Sequence, residues 1–128
     1  MAVVYVKKGE DGLPYAQIGI VFNGNRYTSE ALVKTGSNLT IVSNDLLGIE
    51  IDTGSEPAHA QVGFETIPVY EADIDSFDIE GHQIETKAMI YVSDLPYFKN
   101  KSILGCDMLH GLNFGSRIGG KFYFEFPD

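Results

Sequence analysis

Residues 31–43 read Ala-Leu-Val-Lys-Thr-Gly-Ser-Asn-Leu-Thr-Ile-Val-Ser, and this stretch decides the fold. Its first three residues are apolar and have the character of a strand end. A Thr-Gly-Ser turn follows Lys34, and its glycine allows the backbone to turn tightly. A second apolar run begins at Leu39 and continues through Ile41 and Val42. The stretch therefore predicts two buried strands joined by a tight loop that begins at a lysine.

The pattern outward from this loop is β throughout. Residues 16–22 alternate between apolar and other side chains, and Asn23-Gly24 then favours a tight hairpin turn. The return strand, residues 26–33, leads directly into Lys34. Further strands are predicted at residues 67–73, 74–79, 83–92 and 121–126, the last after a Gly119-Gly120 turn. The fold class is therefore all-β.

Two short helices and a faint internal repeat complete the pattern. Helical turns are predicted at residues 44–47 and 106–110, each followed or ended by a glycine. Asn23-Gly24 has a counterpart at Glu80-Gly81, and residues 31–33 have one at 88–90, at the same separation. The two helical segments also resemble each other. Each half thus has the order hairpin, strand, loop, apolar strand and short helix, which indicates pseudo-symmetry within one domain spanning residues 1–128.

Composition limits the class of protein. The formal net charge is −9, which argues against binding to nucleic-acid phosphates. No apolar run approaches the 20 or so residues of a membrane span, and the first residues lack the order of a signal peptide. The single cysteine, Cys106, cannot form an internal disulfide and is expected to be a small buried side chain, which fits a cytoplasmic location. The three histidines are scattered, so no metal site is predicted.

Two motifs make the chain resemble the retropepsin-like aspartic proteases over nearly its full length. Residues 31–37, Ala-Leu-Val-Lys-Thr-Gly-Ser, are similar to the family's apolar-apolar-Asp-Thr-Gly-Ser/Ala motif. Residues 103–109, Ile-Leu-Gly-Cys-Asp-Met-Leu, are similar to its apolar-apolar-Gly segment and following short helix. Residues 51–64 fall where the family places its flap, and residues 112–126 resemble its closing strands. The resemblance implies a closed, acid-protease barrel with an internal pseudo-two-fold repeat and one or two short helices.

The resemblance also implies an activity and a set of site residues. Family members of this length hydrolyse peptide bonds as homodimers, with one Asp from each chain and no cofactor. The two carboxylates share a proton; one activates water and the other donates to the developing oxyanion. Lys34 stands in the place of that Asp, beside Thr35 and Gly36. The residues expected to bind substrate are Ser37, Asn38, Gly54, Ser55, Ala60, Val62, Ile103, Leu104 and Gly105, with 54–62 in the flap and 103–105 at the base.

Lysine cannot replace that aspartate in catalysis. Its ammonium group has three donors and no acceptor. Two ammonium groups about 4 Å apart repel by on the order of 4 kcal/mol at an effective dielectric constant of 20. The side chains would have to deprotonate or swing away, or the dimer would not form. The chain as given is therefore expected to be inactive or very weak as an aspartic protease, and its oligomeric form is either a homodimer or a monomer.

Several interpretations of Lys34 remain open at this point. The chain is an inactivated variant of a protease, a natural pseudoprotease that binds peptides or proteins without cleaving them, or a protein in which Lys34 is a nucleophile. An unrelated β-barrel interaction domain is a further alternative. A literal Asp-Thr-Gly-Ser also occurs at residues 52–55, and it is either the true active site or a polar turn. The polar turn is favoured because no apolar strand is predicted after it.

Overall fold

The computed structural model describes residues 2–52, 54–84, 89–117 and 120–127. In this part of the chain, twelve strands belong to one sheet system and two helices have four residues each. The first strands are β1 (Ala2–Lys8), β2 (Pro14–Phe22), β3 (Asn25–Val33), β4 (Ile41–Ser43), β5 (Ala58–Val62) and β6 (Glu65–Asp73). The others are β7 (Ser76–Ile79), β8 (His82–Gln83), β9 (Met89–Ser93), β10 (Ser102–Leu104), β11 (Asn113–Ser116) and β12 (Phe122–Phe126). The helices are α1 (Asn44–Leu47) and α2 (Cys106–Leu109), and a 3-10 turn covers Pro96–Phe98.

The chain is mostly β, as the sequence predicts. The hydrogen-bonded order is β11-β12-β1-β2-β3-β10-β4-β9-β6-β5, with β7 also paired to β2 and β8 beyond it. Within the described residues this path has two ends, β11 and β5. Closure of the sheet into a barrel therefore stays a prediction. None of the helices in the described part is long and apolar enough to cross a membrane.

Four strands at the centre are paired reciprocally. β10 runs parallel to β3, β4 runs parallel to β9, and β10 and β4 lie antiparallel between them. In each half, the strand after the loop thus pairs with the strand before the loop in the other half. This exchange places the loop after Val33 next to the end of β10, because Val33 is the register partner of Leu104.

The predicted repeat needs one correction in its strand alignment. The residues of β9 that pair with β4 are Tyr91, Val92 and Ser93, whereas the residues of β3 that pair with β10 are 31–33. Ser43 and Gly105 each immediately precede a helix, so Val42 corresponds to Leu104, and their register partners Val92 and Val33 also correspond. The counterpart of 31–33 is therefore 90–92 and not 88–90, of which Ala88 lies outside the described residues. The sequence match was misaligned because both segments are apolar and neither contains a turn residue that fixes the register.

Two apolar clusters hold these strands together. The larger one lies under β2, β7, β9 and β12 and includes the fully buried Ile18, Phe77 and Phe124. The smaller one lies beneath the β5–β6 hairpin and contains Ile41, Ala60, Val69, Phe98 and Ile103. Each buried Val, Leu, Ile or Phe contributes roughly 1.5–3 kcal/mol relative to exposure. The smaller cluster therefore anchors the hairpin to the central strands beside the Lys34 loop.

Several element boundaries differ from the sequence predictions. The predicted strand 83–92 is two strands, β8 and β9, with residues 85–88 outside the described part. Four strands were given no bounds of their own by the sequence pattern: β1, β5, which was expected only as part of the flap region 51–64, β10, expected only as the apolar strand of the second half, and β11, expected only within the closing strands 112–126. Three of them are only three to five residues long, too short for a clear alternation pattern. The Gly119 half of the predicted turn before β12 also lies outside the described residues.

Candidate functional site

The loop that follows β3 is fixed by hydrogen bonds to its own backbone and to β10. The Lys34 N–H donates to the Leu104 carbonyl at 3.0 Å, and the Ser37 N–H donates to the Lys34 carbonyl at 3.1 Å. The Ser37 hydroxyl is fully buried and donates to the Leu39 carbonyl at 2.7 Å. Thr35 and Gly36, in contrast, are exposed. The loop is thus held at both ends and presents Thr35 and Gly36 outward.

A buried polar network supports the loop from below. The Thr40 hydroxyl is fully buried, donates to the Asp107 carboxylate at 2.7 Å, and accepts from the Gly105 N–H at 3.0 Å. The Cys106 N–H donates to the Ser37 carbonyl at 2.9 Å. Because buried polar groups are costly when unpaired, each of these bonds constrains the relative position of the loop and α2. Sequence reasoning missed Thr40 and Asp107, because their partnership depends on the approach of two distant segments.

The β5–β6 hairpin is fastened to the same loop on its other side. The Gly63 N–H donates to the Gly36 carbonyl at 3.0 Å. Asn38 and Gln61 are joined twice: the Asn38 N–H donates to the Gln61 carbonyl at 3.1 Å, and the Gln61 N–H donates to the Asn38 side-chain oxygen at 2.8 Å. Ser37 and Val62 also form an isolated antiparallel bridge. We call these contacts the hairpin latch, because they hold the hairpin tip against the loop.

Asn38→Ala is expected to loosen the hairpin latch without unfolding the domain. The substitution removes the acceptor of the Gln61 N–H, and one such bond contributes about 0.5–1.5 kcal/mol. Amide hydrogen exchange at Gln61 should therefore accelerate by up to about tenfold, since exchange here reports local opening. Asn38→Asp, which keeps an oxygen in the same place, should retain the protection. Unchanged exchange at Gln61 in the alanine variant would contradict the latch.

Lys34 lies in a cavity between the hairpin tip and the segment after β9. The cavity has a volume of about 450 Å³, within the range of small-ligand sites. Lys34 itself is half-buried. The other lining residues are mostly apolar: Val62, Gly63, Phe64, Glu65, Ile67, Leu95, Tyr97 and Phe98. Lys34 is thus the basic residue of a lining that is otherwise largely apolar apart from Glu65.

A second cavity of about 560 Å³ lies on the other side of Tyr97. It is formed by the β1–β2 turn, β3 and residues 100–102. The Tyr15 hydroxyl donates to the Asp11 carboxylate at 2.6 Å, which lowers the pKa of Asp11 and raises the pKa of Tyr15. Both side chains are open to solvent, so this pair contributes little to stability.

Elsewhere near the loop, burial raises the pKa of Tyr91, and the nearby Glu71 and Asp107 carboxylates add to this shift. Tyr91 packs with the smaller cluster. Its phenol therefore stays neutral over a wider pH range and acts there as a packing group.

The predicted site residues fall into three groups. Lys34, Thr35, Gly36, Asn38 and Val62 meet at the loop, the hairpin latch or the Lys34 cavity. A second group supports this region from within, because its side chains are buried or its backbone is enclosed: Ser37, Ala60, Ile103, Leu104 and Gly105. The third group, Gly54 and Ser55, is exposed and precedes the hairpin.

A hairpin lies in the region where the sequence places the flap. The flap was expected at 54–62 within residues 51–64, and the hairpin spans β5 and β6 with its turn at Gly63-Phe64. Of the literal Asp-Thr-Gly-Ser, residues 52, 54 and 55 are described and precede the hairpin, whereas Thr53 lies outside the described residues. The Asp52 carboxylate accepts from the Gly54 N–H at 2.9 Å. This hydrogen bond is typical of a short acidic side chain that closes a turn. Asp52 does not line the Lys34 cavity.

Cys106 is exposed, and the prediction of a buried side chain was wrong. It is the first residue of α2, directly after β10, and its thiol donates to the exposed Thr35 carbonyl at 3.1 Å. Burial was expected because no base partner for the thiol is evident in the sequence, and such a cysteine is usually a small buried side chain. The helix turns the side chain of its first residue away from that core.

The fold of the chain is similar to that of a known class of enzymes. A retropepsin-like aspartic protease from Rickettsia conorii superposes with a TM-score of 0.67 at 16% sequence identity, over 96% of this chain and 89% of that one. No family model and no curated protein matches the sequence. The chain therefore has the retropepsin-like fold, while the roles of its site residues depend on their own geometry.

Proposed function

We propose that this chain is the peptide-binding scaffold of a retropepsin-like aspartic endopeptidase, with Lys34 in the position of the catalytic Asp. The single observation that carries the proposal is the position of Lys34. It begins the Thr-Gly loop after β3, and it lines a cavity beneath a hairpin whose tip is bonded to that loop. In the proposed ancestral reaction, two aspartates and a water molecule supply the chemistry, and no cofactor takes part. With lysine in their place, the chain as given does not activate water.

The proposed active assembly is a homodimer. Thr35 and Gly36 are exposed at the tip of the loop, where a second copy of the chain would meet them. The hairpin tip residue Phe64 is fully exposed as well, which suits a group that packs on a partner or a peptide. Repulsion between two Lys34 ammonium groups at such a two-fold axis favours the monomer in the chain as given. Closure of the sheet into a barrel and a cytoplasmic location belong to the same proposal.

A second candidate function is a natural pseudoprotease that acts as a non-catalytic module for binding peptides or proteins. The observation that favours it is the largely apolar cavity of about 450 Å³ around Lys34, which is suited to holding a side chain. Binding needs no paired carboxylates and tolerates the amine. Both candidates share the same groove, so they differ in whether cleavage follows when the aspartate is restored.

One experiment separates the candidates. The chain as given and its Lys34→Asp variant are incubated with a peptide library, and both are sedimented at equilibrium. Cleavage by the variant alone, together with a shift toward the dimer, supports the endopeptidase scaffold. Peptide binding by both forms without cleavage supports the binding module. Neither binding nor cleavage in either form would overturn both.

A further inference from the structure

We infer that the Lys34 cavity binds the C-terminal end of a peptide, with the free α-carboxylate at the Lys34 ammonium group and an apolar last side chain in the cavity. This inference rests on the proposed peptide-binding function and names its ligand class. It follows from three features of the site: the apolar walls, the amine, and the hairpin latch beside it.

The walls of the cavity are suited to an apolar side chain. Three aromatic rings, those of Phe64, Tyr97 and Phe98, line it together with Leu95 and Ile67. Phe64 and Tyr97 are exposed large apolar side chains, so part of this wall faces solvent when the cavity is empty. Covering such surface removes apolar area from water, which stabilises a complex. The chemistry of the wall therefore selects an apolar side chain over a polar one.

Lys34 adds a positive charge to the cavity, and an apolar ligand side chain alone would not require one. Among the described residues, Arg26 and Asp78 form an ion pair, and no carboxylate oxygen lies within 4 Å of the Lys34 side-chain nitrogen. A half-buried ammonium group forms short, charge-assisted hydrogen bonds when a carboxylate reaches it. Glu65 also lines the cavity and is exposed, so it weakens an anionic ligand modestly. The amine thus adds a preference for an anion next to the apolar side chain.

The hairpin latch explains why the anion is a chain end. An extended peptide that runs through the groove would need hydrogen-bond partners in the backbone of the loop that begins at Lys34. There, the Gly36 carbonyl, the Asn38 N–H and the Asn38 side-chain oxygen are already bonded to Gly63 and Gln61. A peptide that terminates at Lys34 leaves all of these bonds intact. In the chain as given, where these bonds are formed, a chain end is therefore accommodated at lower cost than an internal segment, whereas cleavage of an internal bond by the aspartate variant would require the hairpin latch to open.

The test compares matched peptides on the folded chain. Three fluorescent peptides share one sequence that ends in leucine: the free acid, the C-terminal amide, and an amide with glutamate beside the leucine. Hydrogen bonds to charged groups contribute about 1.5–3 kcal/mol, so the free acid should bind on the order of tenfold to a hundredfold more tightly than the amide. The glutamate-containing amide should resemble the plain amide. The preference should also decline with added salt.

Variants assign this preference to the amine. Lys34→Gln should abolish it, Lys34→Arg should retain most of it, and Glu65→Gln should increase it modestly. If the glutamine variant does not fold, the comparison of acid and amide binding to the unaltered chain still tests the inference. Equal binding of acid and amide would overturn this inference while leaving the peptide-binding proposal intact. If none of the peptides binds, both this inference and the peptide-binding proposal are overturned. If the glutamate amide binds more tightly than the free acid, the inference is overturned too, because the carboxylate recognised by Lys34 is then that of an internal acidic residue and not of a chain end.

Discussion

Lys34→Asp is expected to give this chain acid-favoured endopeptidase activity. The substitution places a carboxylate at the start of the exposed Thr35-Gly36 loop, where a second chain in a dimer would supply another. General acid–base catalysis of this kind contributes on the order of 10²–10⁴-fold, so cleavage should rise from background to an easily measured rate. The measurement is kcat/KM for a peptide mixture, followed by mass spectrometry.

The pH profile of the restored enzyme follows from the charges of its pair of aspartates. Two close carboxylates cannot both ionise cheaply, so they hold one proton between them over an acidic range. At higher pH the second proton is lost, and the pair then lacks the acid that donates to the oxyanion. At lower pH both carboxylates are protonated, and neither accepts a proton from water. Activity should therefore show an acidic maximum, with loss on both sides, and should be sensitive to pepstatin.

Lys34→Asn is the matched control for this gain of activity. Asparagine has the shape of aspartate and removes the lysine charge, but it cannot accept a proton in the reaction. The control should dimerise at least as well as the chain as given, since its side chains do not repel, and should remain inactive. Cleavage by the asparagine variant, or a dimeric aspartate variant that binds peptides but never cleaves them, would contradict the endopeptidase scaffold.

Local signals in the sequence were sufficient for the β2–β3 hairpin and for the start of the loop that follows it. The hairpin turn is an example: Asn23 and Gly24 have φ values of 50° and 81°, as a turn of their type requires. The flanking strands β2 and β3 were predicted within two residues of their ends, because alternation and turn chemistry act between near neighbours. Lys34 was likewise placed correctly at the end of β3, because the apolar run before it stops there.

Features that depend on distant segments were beyond the sequence. The hairpin latch joins Asn38 to Gln61, and the Lys34 cavity needs Leu95 and Phe98 from the other half of the chain. None of these residues has a local pattern that indicates its partner. The Asp-Thr-Gly-Ser sequence at 52–55 shows the opposite case, in which a short motif matches an active site although distant contacts do not support one. Its letters suit an active site, but its surroundings form an exposed turn.

Gly105→Ala is expected to cause a large loss of stability, for a reason that concerns space and not backbone angles. Gly105 has φ −102° and ψ −177°, an extended conformation that any residue adopts. A methyl group there would collide with the Leu39 carbonyl group and would lie 2.9 Å from the Ser37 carbonyl oxygen. Both are backbone atoms, so the Lys34 loop would have to move away from α2. Overpacking of this kind typically costs 1–3 kcal/mol, and we expect about 3 kcal/mol here.

The loss at Gly105 should exceed that at a glycine with flexible surroundings. A methyl group on Gly54 would meet only the Asp52 side-chain oxygen, at 3.3 Å, and Gly54→Ala should change the free energy of unfolding by no more than about 0.5 kcal/mol. Urea unfolding of both variants measures the difference. Displacement of the loop would also strain the bonds from the Gly105 and Cys106 N–H groups to Thr40 and Ser37, so peptide binding should weaken in the folded fraction. Equal stability of the two variants would mean that Leu39 does not approach Gly105 closely, and the support assigned to the Lys34 loop would then be incorrect.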